Sequence, residues 1–496
     1  MTTKEVWANL KDSDKLLYNF ITAFIFVISY ALLVGYFFNK SYILFFLFFS
    51  IFFYFSFLIF KNPKIGIIFF IIFLPLHAFY FSYFFSIFSL NVQSSFFLAL
   101  WKEVIFLILV CALTFKFFRK EIKKPKLIFA DKLIIGLFIL SLIISCRSNL
   151  SEIIWGIRYQ FEFFAFYFAV RFLNIFSNTK DLVMRSFIFI GVFVSSFGLF
   201  QAILLPKDFL TSFGFRNYND GWVAGLPPLA YHPVSPPKMD LIRIIGTFSD
   251  PNTFGAYLII FIIFLVSLLL VYKRYRGLIY LAFFPSLISL IYTFSRSAWI
   301  SLAVGILTLL FIVIPKKIRL KATGILMFLV IVIVLLFPSF LKSTFLTDII
   351  LHGEYSQTIY GSTASHFDSL KSGLNYVIDN PLGMGLGKAG PASQRFGAGI
   401  ISENWYLQIG EEVGILGIIL FIGIILNFLW HFWRYFRSAK DLSIKYLNLF
   451  LFVSLIALSF SNLFLHTWAS TAVSFTFWIF TGLLISWGQN ENSNSA

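Results

Sequence analysis

The sequence predicts an all-α polytopic membrane bundle, and three observations carry that prediction. Hydrophobic residues are 59% of the 496 and charged residues only 12%, with a mean hydropathy of +0.87. Soluble chains carry about 45–50% apolar and about 25% charged residues. Apolar runs near the roughly 20 residues that a helix needs to cross a bilayer recur along the chain. The charges are confined to short segments between those runs. A chain with so little polar surface excludes a soluble enzyme, a disordered chain and a fibrous protein. The formal charge of +17 does not point to nucleic acid, because the basic residues sit in short interspan loops.

Taken in order, about 14 candidate spans fall near 16–38, 42–60, 65–87, 96–117, 130–147, 152–172, 183–204, 252–272, 277–295, 298–315, 322–341, 403–432, 445–465 and 468–487. The polar start and the lack of a small-residue cleavage site read as an uncleaved first span. Every second loop is rich in Lys and Arg, from Lys61 and Lys64 through Lys116–Lys126 to Arg434–Lys445. About 22 basic residues fall on that side and about three on the other, which makes the rich side cytoplasmic. Both termini are then cytoplasmic, in the cell's inner (cytoplasmic) membrane. Two long polar stretches, 205–250 and 343–402, are expected on the extracytoplasmic face. The second contains an amphipathic stretch, Thr363 to Ile378, with Phe367, Leu370, Leu374 and Val377 at helical spacing.

Charges at bilayer depth cost at least about 2.5–3.5 kcal/mol on insertion scales, so each raises a functional question. Lys102 and Glu103 lie in the fourth span, Arg158 and Glu162 in the sixth, and Glu411 and Glu412 in the twelfth. Arg158 and Glu162 are spaced to neutralise each other along one helix. Arg243 precedes "GTFSDPN", where Asp250, Pro251 and Asn252 form a helix start. Asp250 can serve there as an N-cap alone or also as a ligand. Arg296 lies in the turn "TFSRSAW", and Glu403 and Asn404 open "ENWYLQIGEEVGILG". Arg147, Arg158, Arg243 and Arg296 converge on one membrane face otherwise poor in basic residues. Outward-facing arginines at that depth suit a lipid-linked phosphate or diphosphate, whose oxygens the guanidinium fork matches bidentately. They would also stabilise charge growing on a leaving diphosphate.

Other features are less specific. The "NPLGMGLGKAGP" run follows a helix rather than the strand a dinucleotide fingerprint calls for; its glycines admit a ligand or make a turn. Among the histidines, His366 at the start of the amphipathic stretch stands out as a candidate base, while His77 reads as a hydrogen-bonded core residue. Cys111 and Cys146 read as small core side chains. No His, Asp and Glu cluster has metal-ligand spacing, so neither metal nor other cofactor is expected.

The ordered series "GIRYQFE", "RIIGTFSDPNTFGAYL", "TFSRSAW", "NPLGMGLG" and "ENWYLQIGEEVGILG", from Arg158 to Gly417, resembles the O-antigen ligase and O-antigen polymerase superfamily of bacterial membrane glycosyltransferases. The resemblance implies a GT-C-like helical fold with a long extracytoplasmic loop. It divides the chain into N-terminal helices (1–151), a ligase/polymerase-like core (152–432) and C-terminal helices with a polar tail (433–496). It implies metal-independent, inverting transfer of a glycan from an undecaprenyl-diphosphate carrier onto an acceptor glycan hydroxyl. Carried over by motif, Arg158, Arg243 and Arg296 are diphosphate-side residues, with Asp250, Asn252 and Asn404 as further substrate contacts. Family ligases place a His base near the start of the late-loop helix; this sequence has Glu403 and Asn404 at the matching position. Glu403 is therefore the first candidate base and His366 the second, and a polymerase-type or other exopolysaccharide-building member fits better than a strict ligase. The expected partners are the lipid-linked donor, the glycan acceptor, the bilayer and polysaccharide-assembly proteins, with no nucleic acid. A lipid-linked oligosaccharide flippase is the alternative, although no internal repeat of the kind transporters show is evident. A non-catalytic scaffold is a third reading.

Overall fold

The computed structural model describes residues 54–87, 100–122, 126–172, 178–217, 229–232, 241–315, 317–318, 321, 362–397, 399 and 401–494. The expected spans near 16–38 and 322–341, and most of 42–60, lie outside the described residues. So do 343–361 of the late polar stretch and much of 218–240 in the earlier one. Among the described residues, eight helices are long and apolar enough to cross a membrane. The chain is a multi-pass helical membrane protein.

In chain order the helices begin with α1 (Pro63–Phe73) and α2 (His77–Ile87), joined through a turn at Leu74–Leu76 that contains Pro75. Next come α3 (Trp101–Phe118), α4 (Phe129–Ile144), α5 (Leu150–Gln160), α6 (Glu162–Phe172) and α7 (Asn178–Ile203). A small antiparallel ribbon follows, β1 (Ala230–His232) with β2 (Leu241–Arg243), pairing Ala230 with Arg243. It is the one sheet among the described residues of an otherwise helical protein. Three spans come next: α8 (Pro251–Val271), α9 (Arg276–Tyr292) and α10 (Arg296–Val313). The late polar stretch supplies α11 (Ser362–Asp379) and the short α12 (Gly390–Ser393). The chain then closes the bundle with α13 (Trp405–Ser438), α14 (Leu442–Ser461) and α15 (Thr471–Asn494).

α8 is apolar all round and buried on nearly every face, the central span of the bundle. It packs on α9, α10 and α14, while α15 packs on α6. Apolar side chains gain little by leaving lipid for each other, so close packing and interhelical hydrogen bonds hold such a bundle. Ser289 Oγ of α9 donates to the Ser195 carbonyl of α7 at 2.8 Å, and Ser286 Oγ donates to Ser195 Oγ at 2.9 Å. At one end of the bundle the fully buried Arg171 and Asp131 form an ion pair, with the Tyr167 hydroxyl donating to Asp131 Oδ1 at 2.7 Å. That cluster ties α4 to α6.

The sixth expected span is two helices. Phe161, at φ −122° and ψ −15°, separates α5 from α6. Both free cysteines are exposed on the bundle rather than in its core; in a membrane protein an apolar run has an outward face that lipid accepts as readily as the interior does. The amphipathic stretch is helical as expected, as α11, and packs on α13. Its stripe is split, with Val377 buried and Phe367 and Leu374 exposed.

Candidate functional site

The chain segments around 145–150, 201–217, 241–250, 292–296, 380–397, 401–405 and 461–471 meet at the end of the bundle opposite Asp131 and Arg171. The hydrogen bonds that join them are backbone or buried. Ile244 N donates to Tyr292 O, and Trp405 N donates to Asn462 O. Ile245 N and Gly246 N both donate to Gln201 Oε1. Leu386 N donates to Ser145 Oγ at 2.8 Å, and Thr247 Oγ1 donates to the Pro75 carbonyl at 2.7 Å.

The glycine run docks on a kink. Gly414, inside α13, has φ +77°, which breaks the helical ladder and frees backbone groups there. Met384 N and Gly385 N donate to the carbonyls of Glu411 and Glu412, and Ile415 N donates back to Pro381 O. The Glu412 carboxylate, fully buried, accepts from Gly387 N at 2.9 Å, from Ala389 N at 3.1 Å and from the Gln160 side chain. Gly387 has φ +80°, and a Cβ there would lie 2.3 Å from the Glu152 carbonyl. These glycines are therefore occupied by the protein's own backbone, which answers the ligand-or-turn question in favour of docking.

A charge network fills the space beside α5. Lys102 Nζ lies 3.0 Å from Glu103 Oε1 and 2.8 Å from Glu162 Oε2, and Arg158 Nη2 lies 2.6 Å from the same Glu103 oxygen. Arg158 and Glu162 thus do not pair with each other. The break at Phe161 turns them apart, and each takes a partner on α3. Next to them Trp101 Nε1 donates to His77 Nδ1 at 2.9 Å, with the Tyr80 hydroxyl 2.8 Å from that nitrogen. Phe163, adjacent to Glu162, packs against Trp405, Trp468 and Trp478. The α5–α6 corner therefore touches both the charge network and the start of α13.

Arg243, Asp250 and Asn252 form a second group. Arg243 Nε donates to the Thr293 carbonyl at 3.1 Å and its Nη2 donates to Asn252 Oδ1 at 3.2 Å. Asp250 is the N-cap of α8, accepting from Thr253 N at 2.8 Å, from Thr253 Oγ1 at 2.7 Å and from Ser249 Oγ at 2.9 Å. Burial pulls the Arg243 guanidinium below its ordinary value; the Asp250 charge opposes that shift and the Arg296 charge adds to it. Both charges therefore act on Arg243, while the Asp250 carboxylate itself is occupied by its capping bonds. Arg158 lies in the neighbouring network rather than in this group. The side chains of Arg147 and His232, and all of His352, lie outside the described residues.

The third group contains the two candidate bases. His366 Nδ1 contacts the Glu403 carboxylate, and both side chains are partly exposed, at 38% and 40%. Glu403 has φ +49°, a left-handed backbone conformation that is uncommon for a residue with a Cβ and recurs at functional sites. Asn404 is the N-cap of α13, accepting from Tyr406 N and Leu407 N, and its Nδ2 donates to the Leu463 carbonyl at 2.9 Å. Both ends of its amide are occupied, so Asn404 shapes the turn on which Glu403 sits.

Sequence reasoning missed His466. It lies between α14 and α15, in the turn that Asn404 and Trp405 hold down, and both ring nitrogens are buried without a hydrogen-bond partner. Burial lowers its imidazole to about 4, against the pull of the nearby Glu403 carboxylate. It was legible only as a His in an interspan turn, with no spacing to connect it to Glu403. Arg395 was missed as well. Its guanidinium lies 3.8 Å from the centre of the Trp155 ring, beside Arg158 at 4.7 Å from the same ring. Among the described residues, no three His, Cys, Asp or Glu side chains group as metal ligands.

Residues 281–422 match the family model described as O-antigen ligase. Over that stretch the chain resembles the O-antigen ligase and O-antigen polymerase superfamily. No curated protein matches the chain. The ligase-like stretch runs from α9 into α13 and holds Arg296, His366, the glycine loop, Glu403 and Asn404. Arg158, Arg243, Asp250 and Asn252 precede it, and hydrogen bonds carry them to the same end of the bundle. The match supports a membrane glycosyltransferase of the O-antigen ligase/polymerase type.

Proposed function

We propose that this protein transfers an undecaprenyl-diphosphate-linked glycan onto an acceptor glycan hydroxyl at the extracytoplasmic face of the inner membrane. The reaction is of the polymerase or ligase type, in a GT-C-like bundle of about 14 spans with both termini cytoplasmic. The core would be 152–432, flanked by the helices of 1–151 and 433–496. The observation that carries this reading is the His366–Glu403 contact, which lies within the ligase-like stretch.

A His held through Nδ1 by a carboxylate keeps Nε2 free to accept a proton, and the carboxylate stabilises the imidazolium that results. In the proposed step His366 Nε2 takes the proton of the acceptor hydroxyl. The hydroxyl oxygen bonds to the anomeric carbon as the bond from that carbon to the diphosphate oxygen breaks, with inversion. The electron pair leaves on the diphosphate. Arg243 and Arg296, with Arg158 nearby, are proposed to hold that growing charge, so that no metal is assigned the role. Asp250 and Asn404 support the reading indirectly, by fixing the turns that present Arg243 and Glu403. Asn252 orients the Arg243 fork.

The test is a transfer assay with purified protein and an undecaprenyl-diphosphate oligosaccharide, with products resolved by length. A triple Arg158, Arg243 and Arg296 to Ala variant runs beside it. A ladder of longer lipid-linked glycans, absent in the variant, is expected. Absence of elongation, with carrier-linked glycan appearing in the opposite leaflet of reconstituted vesicles, would overturn the enzyme reading in favour of a flippase.

A further inference from the structure

Four cations meet where α5 faces α3 and the glycine loop, three of them in ion pairs with Glu103, Glu152 and Glu162, while the buried Glu412 carboxylate is held by the loop's backbone. Lys102 contacts Glu103 and Glu162, Arg158 contacts Glu103, and Lys388 Nζ lies 2.7 Å from Glu152 Oε1. Arg395 contacts no carboxylate among the described residues. Its side chain is exposed.

The place of Arg395 is set by buried docking. Leu386 N is bonded to Ser145, Gly387 N and Ala389 N are bonded to Glu412, and Lys388 is paired to α5. A Cβ on Gly156 of α5 would lie 2.6 Å from Gly387 N, so loop and helix are in direct backbone contact. α12 and the turn Gln394–Phe396 follow at once and bring Arg395 over Trp155. A guanidinium stacked on an indole uses its face and leaves its edge N–H donors free. Free edge donors are what phosphate oxygens take up bidentately.

We propose that Arg395, stacked on Trp155 beside Arg158, is a further binding residue for the phosphate groups of the lipid-linked diphosphate donor. This rests on the donor chemistry proposed above. The network's own acids neutralise Lys102, Arg158 and Lys388 in the absence of ligand, and Arg395 supplies the charge that draws the anion in. As the anion arrives, Arg158 remains the deeper contact and Arg395 the outer one.

The experiment measures binding of undecaprenyl diphosphate, undecaprenol and phosphatidylglycerol to the full-length protein in detergent, for wild type and R395A. Wild type should prefer the diphosphate to the alcohol. R395A should bind the diphosphate about tenfold more weakly, with both other lipids unchanged. Equal diphosphate binding by R395A and wild type overturns the proposal, as does equal weakening for phosphatidylglycerol, which would mark a bilayer anchor. A wild type that does not distinguish diphosphate from alcohol overturns the donor reading itself. Should R395A fail to fold, R395K carries the test. It keeps the charge and loses the fork, so a fall of about threefold is expected and an unchanged affinity overturns the proposal.

Discussion

His366 Nδ1 rests on the Glu403 carboxylate, so the two candidate bases form one unit across the gap between α11 and α13. Residues acting as a unit are not additive. His366→Ala should lower the turnover of glycan transfer by about 10²–10⁴, the usual worth of a general base. Glu403→Gln should cost a comparable factor, because the amide no longer stabilises the imidazolium. The double variant should be no slower than the worse single one. If the two losses multiply instead, the residues act separately and the dyad is wrong.

Much of this site was legible as residue types but not as partnerships. The helix start at Asp250 was readable because a cap is local: Asp, Pro and the following Thr lie within one turn. The apolar runs were readable because a bilayer imposes their length. The swap of partners by Arg158 and Glu162 was not readable, since it depends on the break at Phe161 and on α3 lying alongside. The docking of the glycine loop depends on Gly414 opening α13, which the sequence shows only as one more glycine in an apolar run. His466 and Arg395 reach their places through hydrogen bonds between segments far apart in the chain, and no local spacing encodes those.

The close approach at Gly387 can be separated from its backbone conformation. Gly387 and Gly397 both have positive φ, at +80° and +97°, but a Cβ on Gly397 meets nothing within 4 Å. Gly397→Ala should therefore cost only the backbone strain, on the order of 1 kcal/mol. Gly387→Ala adds a clash with the Glu152 carbonyl and should lower the melting temperature further, with loss of transfer as the loop lifts from α5. Equal melting temperatures for the two variants would show that the loop is not pressed against α5.

Asp250 tests cap against ligand. Asp250→Ala removes the acceptor for Thr253 N and should cost about 1 kcal/mol of stability. Asp250→Asn keeps an N-cap oxygen and should retain most of the stability and most of the transfer activity. An Asn variant that melts normally but transfers nothing would place the carboxylate charge in the chemistry beside Arg243.

His466 makes stability depend on pH. Its folded value of about 4 lies below the ordinary 6.5, so between those values the unfolded chain binds a proton that the folded protein does not. The stabilisation is fully present above pH about 6.5 and is lost as pH falls toward about 4, amounting to at most about 3 kcal/mol. Thermal unfolding of the detergent-solubilised protein from pH 8 to pH 4 should show that decline, and His466→Gln should flatten it. Glu403 pulls in the opposite direction, because its charge favours the protonated imidazole. Glu403→Gln should therefore lower the folded value of His466 still further and extend the decline to more acidic pH. A profile unchanged by His466→Gln would mean that the imidazole is not buried in its neutral form, and the turn between α14 and α15 would have to sit more openly over Glu403.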